Sequence, residues 1–231
     1  MDTKNMNLER GTMDKPRLLI FASGSKDGSG GSGFENLVHN ARENKLFADI
    51  IGVVSSRENG GVRARAERLK IPFTYFSGPW VEEEYKKIVD DLKPDFIALS
   101  GWLKHVKGLP PEKTFNIHPG PLPRFGGKGM YGYYVHEAVI EAFHKGEIDH
   151  TQLCMHFVTP DEYDRGPVFF RLSIPIKEND TAESLQYKVS DYEHAMQPFI
   201  TDLVVRGEIR WDGKNPRSLH VPHGFSIYQY M

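Results

Sequence analysis

An Asn and a His lie two residues apart in the segment FNIHPGPLPRFGG, which begins with a short apolar run. If this run is a strand, side chains at i and i+2 point to one face, so the Asn116 amide and the His118 imidazole can converge on one atom. An amide N–H and a protonated imidazole can both donate to an oxyanion, and an imidazole can also move a proton. The pair therefore favours acyl transfer, with a purely structural His after a strand as the equal alternative.

A glycine-rich segment, ASGSKDGSGGSGFENL, carries five glycines from Gly24 to Gly33 between a predicted first strand and first helix. Bare backbone N–H groups and a helix N-terminus can bind an anion, which predicts a phosphate site. The segment is neither G-x-x-x-x-G-K-[ST] nor G-x-G-x-x-G, so neither a nucleoside triphosphate nor a dinucleotide is indicated. A flexible loop without a ligand is the alternative.

An acidic turn, HFVTPDEYDRGP, supplies carboxylates at Asp161, Glu162 and Asp164. A carboxylate beside His118 would raise the pKa of the imidazole, orient the ring and position a water molecule. From this motif alone, a solvated turn without function is the favoured interpretation.

The segment SGWLKHVKGLPPE follows another apolar run. Its side chains Trp102, Leu103 and Val106 can wall an apolar slot for a flat ligand, with backbone groups contacting the ligand's edge. A loop that merely lines the core is an equally good interpretation.

Strand and helix patterns alternate through the first half of the chain, and this alternation positions the four segments. Short apolar runs predict strands at Arg17–Ser23, Phe47–Ser56, Phe73–Phe76, Asp95–Gly101 and Thr114–His118, with helices at Phe34–Asn44, Gly61–Leu69 and Val81–Leu92 between them. Such alternation predicts an α/β fold with a doubly wound, mostly parallel sheet that binds ligands at the carboxyl ends of its strands.

The second half predicts an antiparallel addition to this sheet. A helix near Tyr134–Lys145 precedes two apolar runs, HTQLCMHFV and PVFFRLSIPI, which flank the acidic turn as a hairpin would. A long helix over Ala182–Val205 follows, with Thr181 as its N-cap. The polar, aperiodic residues 1–15 predict a flexible extension, and residues 16–231 a single domain.

The composition indicates a protein of small-molecule chemistry. The 231 residues are 39% hydrophobic, enough for a core, and 29 Lys and Arg balance 31 Asp and Glu without a basic stripe, so we expect no nucleic-acid partner. The only cysteine, Cys154, lies in an apolar run and is expected to be a buried thiol. No apolar run is long enough to cross a membrane and no signal peptide is apparent, which favours the cytoplasm. We expect no metal, since His136 and His144 are eight residues apart and no His/Cys cluster has zinc spacing.

Together the motifs resemble the phosphoribosylglycinamide formyltransferase family, the folate-dependent enzymes of purine synthesis. The glycine loop, LSGWLK, FNIHPGPLPRFGGKGMYG, HFVTPDEYDRGPVFF and YEHAMQP occur in that family's order and approximate spacing, over roughly residues 17–213. The most specific part is N-I-H-P followed about 46 residues later by D-x-G-P.

The resemblance implies transfer of a formyl group from 10-formyltetrahydrofolate to the amine of glycinamide ribonucleotide, without a metal. It implies that Asn116, His118 and Asp164 are catalytic, with His156 as a supporting residue, and that Asp161 and Glu162 are turn residues. It further implies that the nucleotide substrate contacts Gly31, Ser32, Gly33, Pro119 and Glu193, and that the folate contacts Leu103, Lys104, His105, Val106 and Asn116.

The chain also departs from the family pattern. The glycine loop is several residues longer, and Gly33 stands where an Asn is common. An Arg that the family often uses for the formyl donor has no clear counterpart, because Glu82 stands there. These departures imply that the folate tail site differs.

Other functions fit parts of the pattern. Methionyl-tRNA formyltransferase and formyltetrahydrofolate hydrolase share a similar core, but each has a further domain for which the sequence shows no candidate segment. A sugar-nucleotide N-formyltransferase and a non-catalytic nucleotide-binding module stay open as alternatives. The protein is expected to be a monomer or a homodimer.

Overall fold

The computed structural model describes residues 14–25 and 28–223 of the chain. Most of the predicted N-terminal extension lies outside these residues. Seven strands have the bounds β1 Arg17–Phe21, β2 Asp49–Ser55, β3 Phe73–Tyr75, β4 Phe96–Leu99, β5 Thr114–His118, β6 His150–Phe157 and β7 Val168–Pro175. Five α-helices have the bounds α1 Ser32–Arg42, α2 Gly61–Leu69, α3 Glu82–Leu92, α4 Tyr133–His144 and α5 Ala182–Val205.

The strands form one sheet in the order β3-β2-β1-β4-β5-β6-β7. Strands β1 to β5 pair in parallel, whereas β5 with β6 and β6 with β7 pair antiparallel. The predicted α/β sheet and its antiparallel extension are therefore confirmed.

Both faces of the sheet are buried, which is why its strands are almost continuously apolar. Leu18 and Ile20 of β1 belong to one core cluster with α1, α2, α4 and α5, while Leu19 and Phe21 belong to a second cluster with Tyr85 of α3. The antiparallel hairpin also buries Cys154, as expected, and its thiol is free.

Strand β5 has the predicted bounds, whereas the other parallel strands are shorter than their apolar runs. The run Asp95–Gly101 contains β4 only from Phe96 to Leu99, because Gly101 adopts a φ of 75° that ends the extended backbone. Helices α2 and α5 have the predicted bounds, and Thr181 caps α5 by accepting from the Ser184 N–H. Within the described ranges, no helix is long and apolar enough to cross a membrane.

The strand order reverses at β1, which pairs with β2 on one side and β4 on the other. Because β4 also pairs with β5, the carboxyl ends of β1, β4 and β5 lie side by side. The glycine loop, the 100–112 segment and the loop after His118 therefore meet at one edge, where doubly wound sheets bind ligands.

Candidate active site

The antiparallel pairing of β5 with β6 assembles the central cluster of the site. Asn116 lies opposite His156, and His118 lies opposite Cys154. Asp164, in the turn between β6 and β7, then reaches all three polar side chains. Its Oδ2 lies 3.8 Å from His118 Nδ1, and its Oδ1 lies 3.4 Å from both His156 Nε2 and Asn116 Nδ2. Asn116 and His118 thus lie on one face, as their spacing predicted, and Asp164 lies beside them, as the family resemblance implied.

The backbone of Asp164 is held in an unusual conformation, with a φ of 56°. A non-glycine residue in this region costs free energy, so the surroundings must stabilise it. The Gly127 N–H donates to Asp164 Oδ2 at 2.9 Å, which fixes the carboxylate between the two loops. The turn's other acids are elsewhere: Asp161 and Glu162 are exposed, and Glu162 pairs with Arg165.

The hydrogen bonds define the tautomers of both histidines. A carbonyl oxygen only accepts, so His118 Nε2 donates to the Phe125 carbonyl at 2.8 Å, and His156 Nδ1 donates to the Phe157 carbonyl at 2.8 Å. The Asn116 Nδ2 atom lies 3.1 Å from His156 Nε2, and its amide can donate to that nitrogen when the ring carries no hydrogen there. The second amide hydrogen of Asn116 donates to Asp164 Oδ1 in a long bond of 3.4 Å, beside the cavity.

The protonation of His118 differs from the sequence-based expectation. Burial lowers the pKa of His118, and the nearby Asp164 carboxylate and Phe125 carbonyl, which raise it, do not compensate. The side chain is almost completely enclosed, so the cationic form loses most of its hydration. The expectation that Asp164 keeps His118 charged is therefore wrong for the unliganded protein, in which Nδ1 is an acceptor.

Asp164, in contrast, is an anion at neutral pH. Burial raises the pKa of its carboxyl, but the contacts with His156, His118 and the Gly127 N–H outweigh burial and lower the pKa below its ordinary value. The cluster thus combines a fixed carboxylate, a neutral imidazole acceptor and an amide donor.

A cavity of about 580 Å³ connects this cluster to the glycine loop. Asn116, His118, Pro119 and Asp164 border it at one end, and Gly31, Ser32 and Gly33 border it at the other. A volume of this size is typical of small-molecule sites. A larger cavity of about 1150 Å³ lies at the opposite edge of the sheet, near Arg17 and Asp49, away from the cluster.

The glycine loop ends at the N-terminus of α1. Gly31 precedes the helix with a φ of 85°, and no side chain caps the first turn. The backbone N–H groups of a first turn lack partners within the helix, so they are available to a ligand at this end of the cavity. Gly33 is a glycine for a steric reason, because a Cβ there would clash with Ser100 Oγ.

Helix α2 contacts the glycine loop on the side away from the cavity. The sequence did not indicate this contact. Arg65 Nη1 donates to the Gly30 carbonyl at 2.9 Å, and its Nε donates to Glu35 on α1 at 2.8 Å. Gly61, at the start of α2, approaches so closely that a Cβ would lie 2.5 Å from the Gly30 carbonyl oxygen. Arg65 therefore links the loop to both helices.

Two polar residues of α5 form the wall between the two ends of the cavity. Glu193, predicted to contact the substrate, borders the cavity, and burial raises the pKa of its carboxyl to about 7. Gln197, one turn further along, borders the cavity as well. Gln197 lies in the YEHAMQP motif, but the sequence alone does not indicate a role for it.

The 103–106 segment is anchored by backbone hydrogen bonds. The Leu103 N–H donates to Ser23 Oγ at 3.0 Å, and the Tyr85 hydroxyl donates to the His105 carbonyl at 3.1 Å. Leu103 borders the main cavity, while Lys104, His105 and Val106 border an adjoining slot of about 40 Å³ that shares Asn116 and Asp164 with it.

Two stacked rings narrow this slot. The imidazole of His105 stacks on Tyr163 with centroids 4.5 Å apart and an interplanar angle of 27°. Burial lowers the pKa of His105, and its Nε2 has no hydrogen-bond partner among the described residues. Tyr163 was not singled out from the sequence, because only its place beside Asp164 distinguishes it from other tyrosines.

The two histidines of α4 were not expected to bind a metal. His136 is buried against the core and His144 is exposed, so they do not converge. Over residues 14–25 and 28–223, no group of three His, Cys, Asp or Glu side chains has the arrangement of a metal site.

The fold and the cluster together correspond to one class of protein. A family model described as formyl transferase matches residues 17–201, so the chain belongs to the formyl transferase family.

Two of the proteins similar to this chain are named phosphoribosylglycinamide formyltransferase, and a third is named glycinamide ribonucleotide transformylase 1. The chain is 32% identical to the chloroplastic phosphoribosylglycinamide formyltransferase of Vigna unguiculata over 87% of its own length and 64% of that relative's. The Brucella melitensis structure of phosphoribosylglycinamide formyltransferase is 30% identical with a TM-score of 0.68, covering 83% of this chain and 96% of the other. Glycinamide ribonucleotide transformylase 1 from Symbiobacterium toebii has the same fold at 22% identity, with a TM-score of 0.74 over 90% and 94% of the two chains.

Proposed function

We propose that the protein transfers a formyl group from 10-formyltetrahydrofolate to the amine of glycinamide ribonucleotide, in purine biosynthesis. The observation that carries this proposal is the single cavity with the Asn116, His118 and Asp164 cluster at one end and the N-terminus of α1 at the other. If the phosphate of glycinamide ribonucleotide binds at the N-terminus of α1, the amine at the other end of the substrate can reach the cluster. The names of the similar proteins support the choice of substrate.

The reaction begins with attack of the substrate amine on the formyl carbon. Asn116 donates its second amide hydrogen to the developing oxyanion, while His156 holds that amide in the required orientation. Neutral His118 accepts the proton that the attacking amine loses, through its Nδ1 atom.

Protonated His118 then completes the transfer. The Asp164 carboxylate, 3.8 Å from Nδ1, stabilises the imidazolium and is far enough away for a water molecule to bridge the two groups. Collapse of the tetrahedral adduct re-forms the carbonyl and breaks the bond from the formyl carbon to the folate nitrogen, which takes the proton from His118. The products are the formylated amine and tetrahydrofolate.

The slot beside the cluster has the chemistry to hold the pterin of the formyl donor. It offers apolar walls from Val106 and Trp102, backbone groups of the 103–106 segment, and the unpartnered His105 Nε2. At about 40 Å³ the slot is too small for a two-ring heterocycle while Tyr163 stacks on His105. In our proposal, the pterin replaces the Tyr163 ring in this stack.

One assay tests the proposed function. The protein is incubated with 10-formyltetrahydrofolate and glycinamide ribonucleotide, and release of tetrahydrofolate is followed by absorbance. We expect release that requires both substrates. Release only with an amino-sugar nucleotide as acceptor would establish the sugar-nucleotide N-formyltransferase instead, and release without any acceptor would indicate a hydrolase.

The same proposal places the reaction in the cytoplasm with the protein as a monomer or homodimer. The free, buried thiol of Cys154 suits a reducing compartment, whereas the Vigna relative is named as chloroplastic. Cell fractionation and light scattering of the purified protein measure these two properties.

A further inference from the structure

Gln197 is a buried amide whose donor atom has no partner. The residue is 1% exposed, yet its side chain borders the 580 Å³ cavity. Its Oε1 accepts from the Ser100 hydroxyl at 3.3 Å, whereas Nε2 has no hydrogen-bond partner within the described part of the chain. Buried polar groups are nearly always satisfied, so an unpaired amide N–H₂ on a residue that borders a cavity indicates a partner supplied by a ligand.

The surroundings place this amide over the first turn of α1. A Cβ built on Gly33 would lie 3.2 Å from Gln197 Oε1, so the missing side chain at position 33 is what lets the amide approach the helix.

The next residue secures the position of Gln197. Pro198 has no N–H and leaves the His194 carbonyl without its helical partner. The Asn36 side chain of α1 donates to this carbonyl at 2.7 Å. The turn of α5 that carries Gln197 is thus hydrogen-bonded to α1 itself.

We propose that Gln197 is a substrate-binding residue whose Nε2 donates to a phosphate monoester seated at the N-terminus of α1. This inference rests on the proposed function insofar as it takes the ligand to be a ribose 5-phosphate group. Ser100 orients the amide by donating to Oε1, which leaves both Nε2 hydrogens for phosphate oxygens. The site then combines backbone donors from α1 with a neutral side-chain donor from α5, and selects the phosphorylated substrate over its riboside.

Binding measurements on two variants test the assignment. Gln197→Met preserves approximate volume without the donor, and Gln197→Glu replaces the donor with an oxygen. Calorimetry with ribose 5-phosphate is expected to show about 10- to 100-fold weaker binding for Gln197→Met, in the range for hydrogen bonds to charged groups, and a larger loss for Gln197→Glu. Gln152→Met, at a partly buried glutamine on β6 that does not border the cavity, is the control and should bind within about two-fold of wild type.

A second comparison separates binding from a structural role. Glycinamide riboside, which lacks the phosphate, should bind the wild type and Gln197→Met equally, and thermal unfolding should confirm that each variant is folded. If Gln197→Met does not fold, Gln197→Asn, which withdraws the amide by one methylene, replaces it. Equal losses for the phosphorylated and unphosphorylated compounds, unchanged ribose 5-phosphate affinity, or no binding by the wild type would each overturn the assignment.

The failure of this inference is distinguishable from failure of the proposed function. Ribose 5-phosphate binding is measured without a formyl donor and without turnover. A protein that formylates glycinamide ribonucleotide but shows no effect of Gln197→Met retains the function and loses this assignment. A protein that binds ribose 5-phosphate through Gln197 without formyl transfer retains the assignment and loses the function.

Discussion

At the scale of single residues, the three acidic side chains of one turn differ in their contacts, although the sequence alone does not distinguish them. Asp161, Glu162 and Asp164 lie in one acidic turn, but only Asp164 reaches His118, His156 and the Gly127 N–H. Its positive φ turns the side chain inward, whereas Asp161 remains exposed. Asp161 is therefore a matched control for substitutions of Asp164.

Asp164→Asn is expected to lower kcat by about 100- to 10,000-fold, because the variant loses the charge that stabilises protonated His118. Asp161→Asn makes the same chemical change three residues away at an exposed position. We expect it to retain wild-type turnover in the tetrahydrofolate release assay. Comparable activity of the two variants would remove Asp164 from the proposed mechanism.

Glu193 predicts a pH effect on substrate binding. Burial raises the pKa of Glu193 to about 7, so the carboxylate becomes ionised as the pH rises through this value. Only the ionised form accepts hydrogen bonds at both oxygens from the ribose hydroxyls. We expect kcat/KM for glycinamide ribonucleotide to rise between about pH 6 and 8 in the wild type.

Glu193→Gln has no such ionisation and is the control for this profile. The variant should show a lower kcat/KM than the wild type. Its pH profile should lack the rise near pH 7 that the ionisation of Glu193 causes in the wild type. The substrate phosphate titrates in the same region, so the difference between the two profiles is the measured quantity. Identical profiles would exclude Glu193 as the origin of the effect.

At the scale of elements, the end of the cavity where we propose that phosphate binds depends on contacts between α1, α2 and α5. Arg65 of α2 binds the Gly30 carbonyl and Glu35, and so fixes the loop from outside the cavity. It is a positioning residue, because the Gly30 carbonyl lies between it and the ligand.

Arg65→Met is expected to raise KM for glycinamide ribonucleotide about 10-fold, with kcat changed by less than about two-fold, because the loop loses its fixed conformation while the catalytic cluster is untouched. Arg63→Met is the matched control, since Arg63 lies two residues earlier and pairs only with groups outside the loop, Glu67 and the Glu58 carbonyl. Steady-state kinetics measure both. A fall in kcat at unchanged KM would contradict the positioning role.

The bond from Asn36 to the His194 carbonyl predicts a measurable stability difference. Asn36→Ala leaves that carbonyl without its partner, and we expect a loss of about 1–3 kcal/mol in the free energy of unfolding. Asn40→Ala, one turn later, loses only bonds within α1 and should cost less. Urea unfolding of the two variants measures the difference, and equal losses would show that the link between the helices adds nothing.

At the scale of the whole molecule, local patterns were sufficient to predict the order of the elements and the shared face of Asn116 and His118. Both faces of the sheet are buried, so its strands are marked by apolar runs, and the β5 spacing places Asn116 and His118 on one face in any register. The resemblance to a family then joined Asp164 to them across the hairpin, which no local pattern could do.

The features that sequence reasoning missed depend on contacts between distant segments. Gln197 contacts Ser100 and lies close to Gly33, and Arg65 donates to the Gly30 carbonyl. The residues of each pair are far apart in the sequence, so no local sequence pattern predicts these contacts. The protonation of His118 was mispredicted because burial, which a sequence does not specify, outweighs the neighbouring charge. The structure therefore shows two things that the sequence could not predict: contacts between side chains of different elements, and the burial of individual side chains.

Pro198 has a consequence for how the protein opens. A proline inside α5 makes that helix dependent on Asn36 for one of its carbonyl partners, so α5 and α1 cannot lose structure independently at this point. Transient opening should therefore release the two helices as one cooperative unit, although 139 residues separate the end of α1 at Arg42 from the N-cap of α5 at Thr181. In hydrogen exchange, amides near residues 36–40 and 194–201 should share one opening free energy, and a ligand held between these helices would slow both segments together.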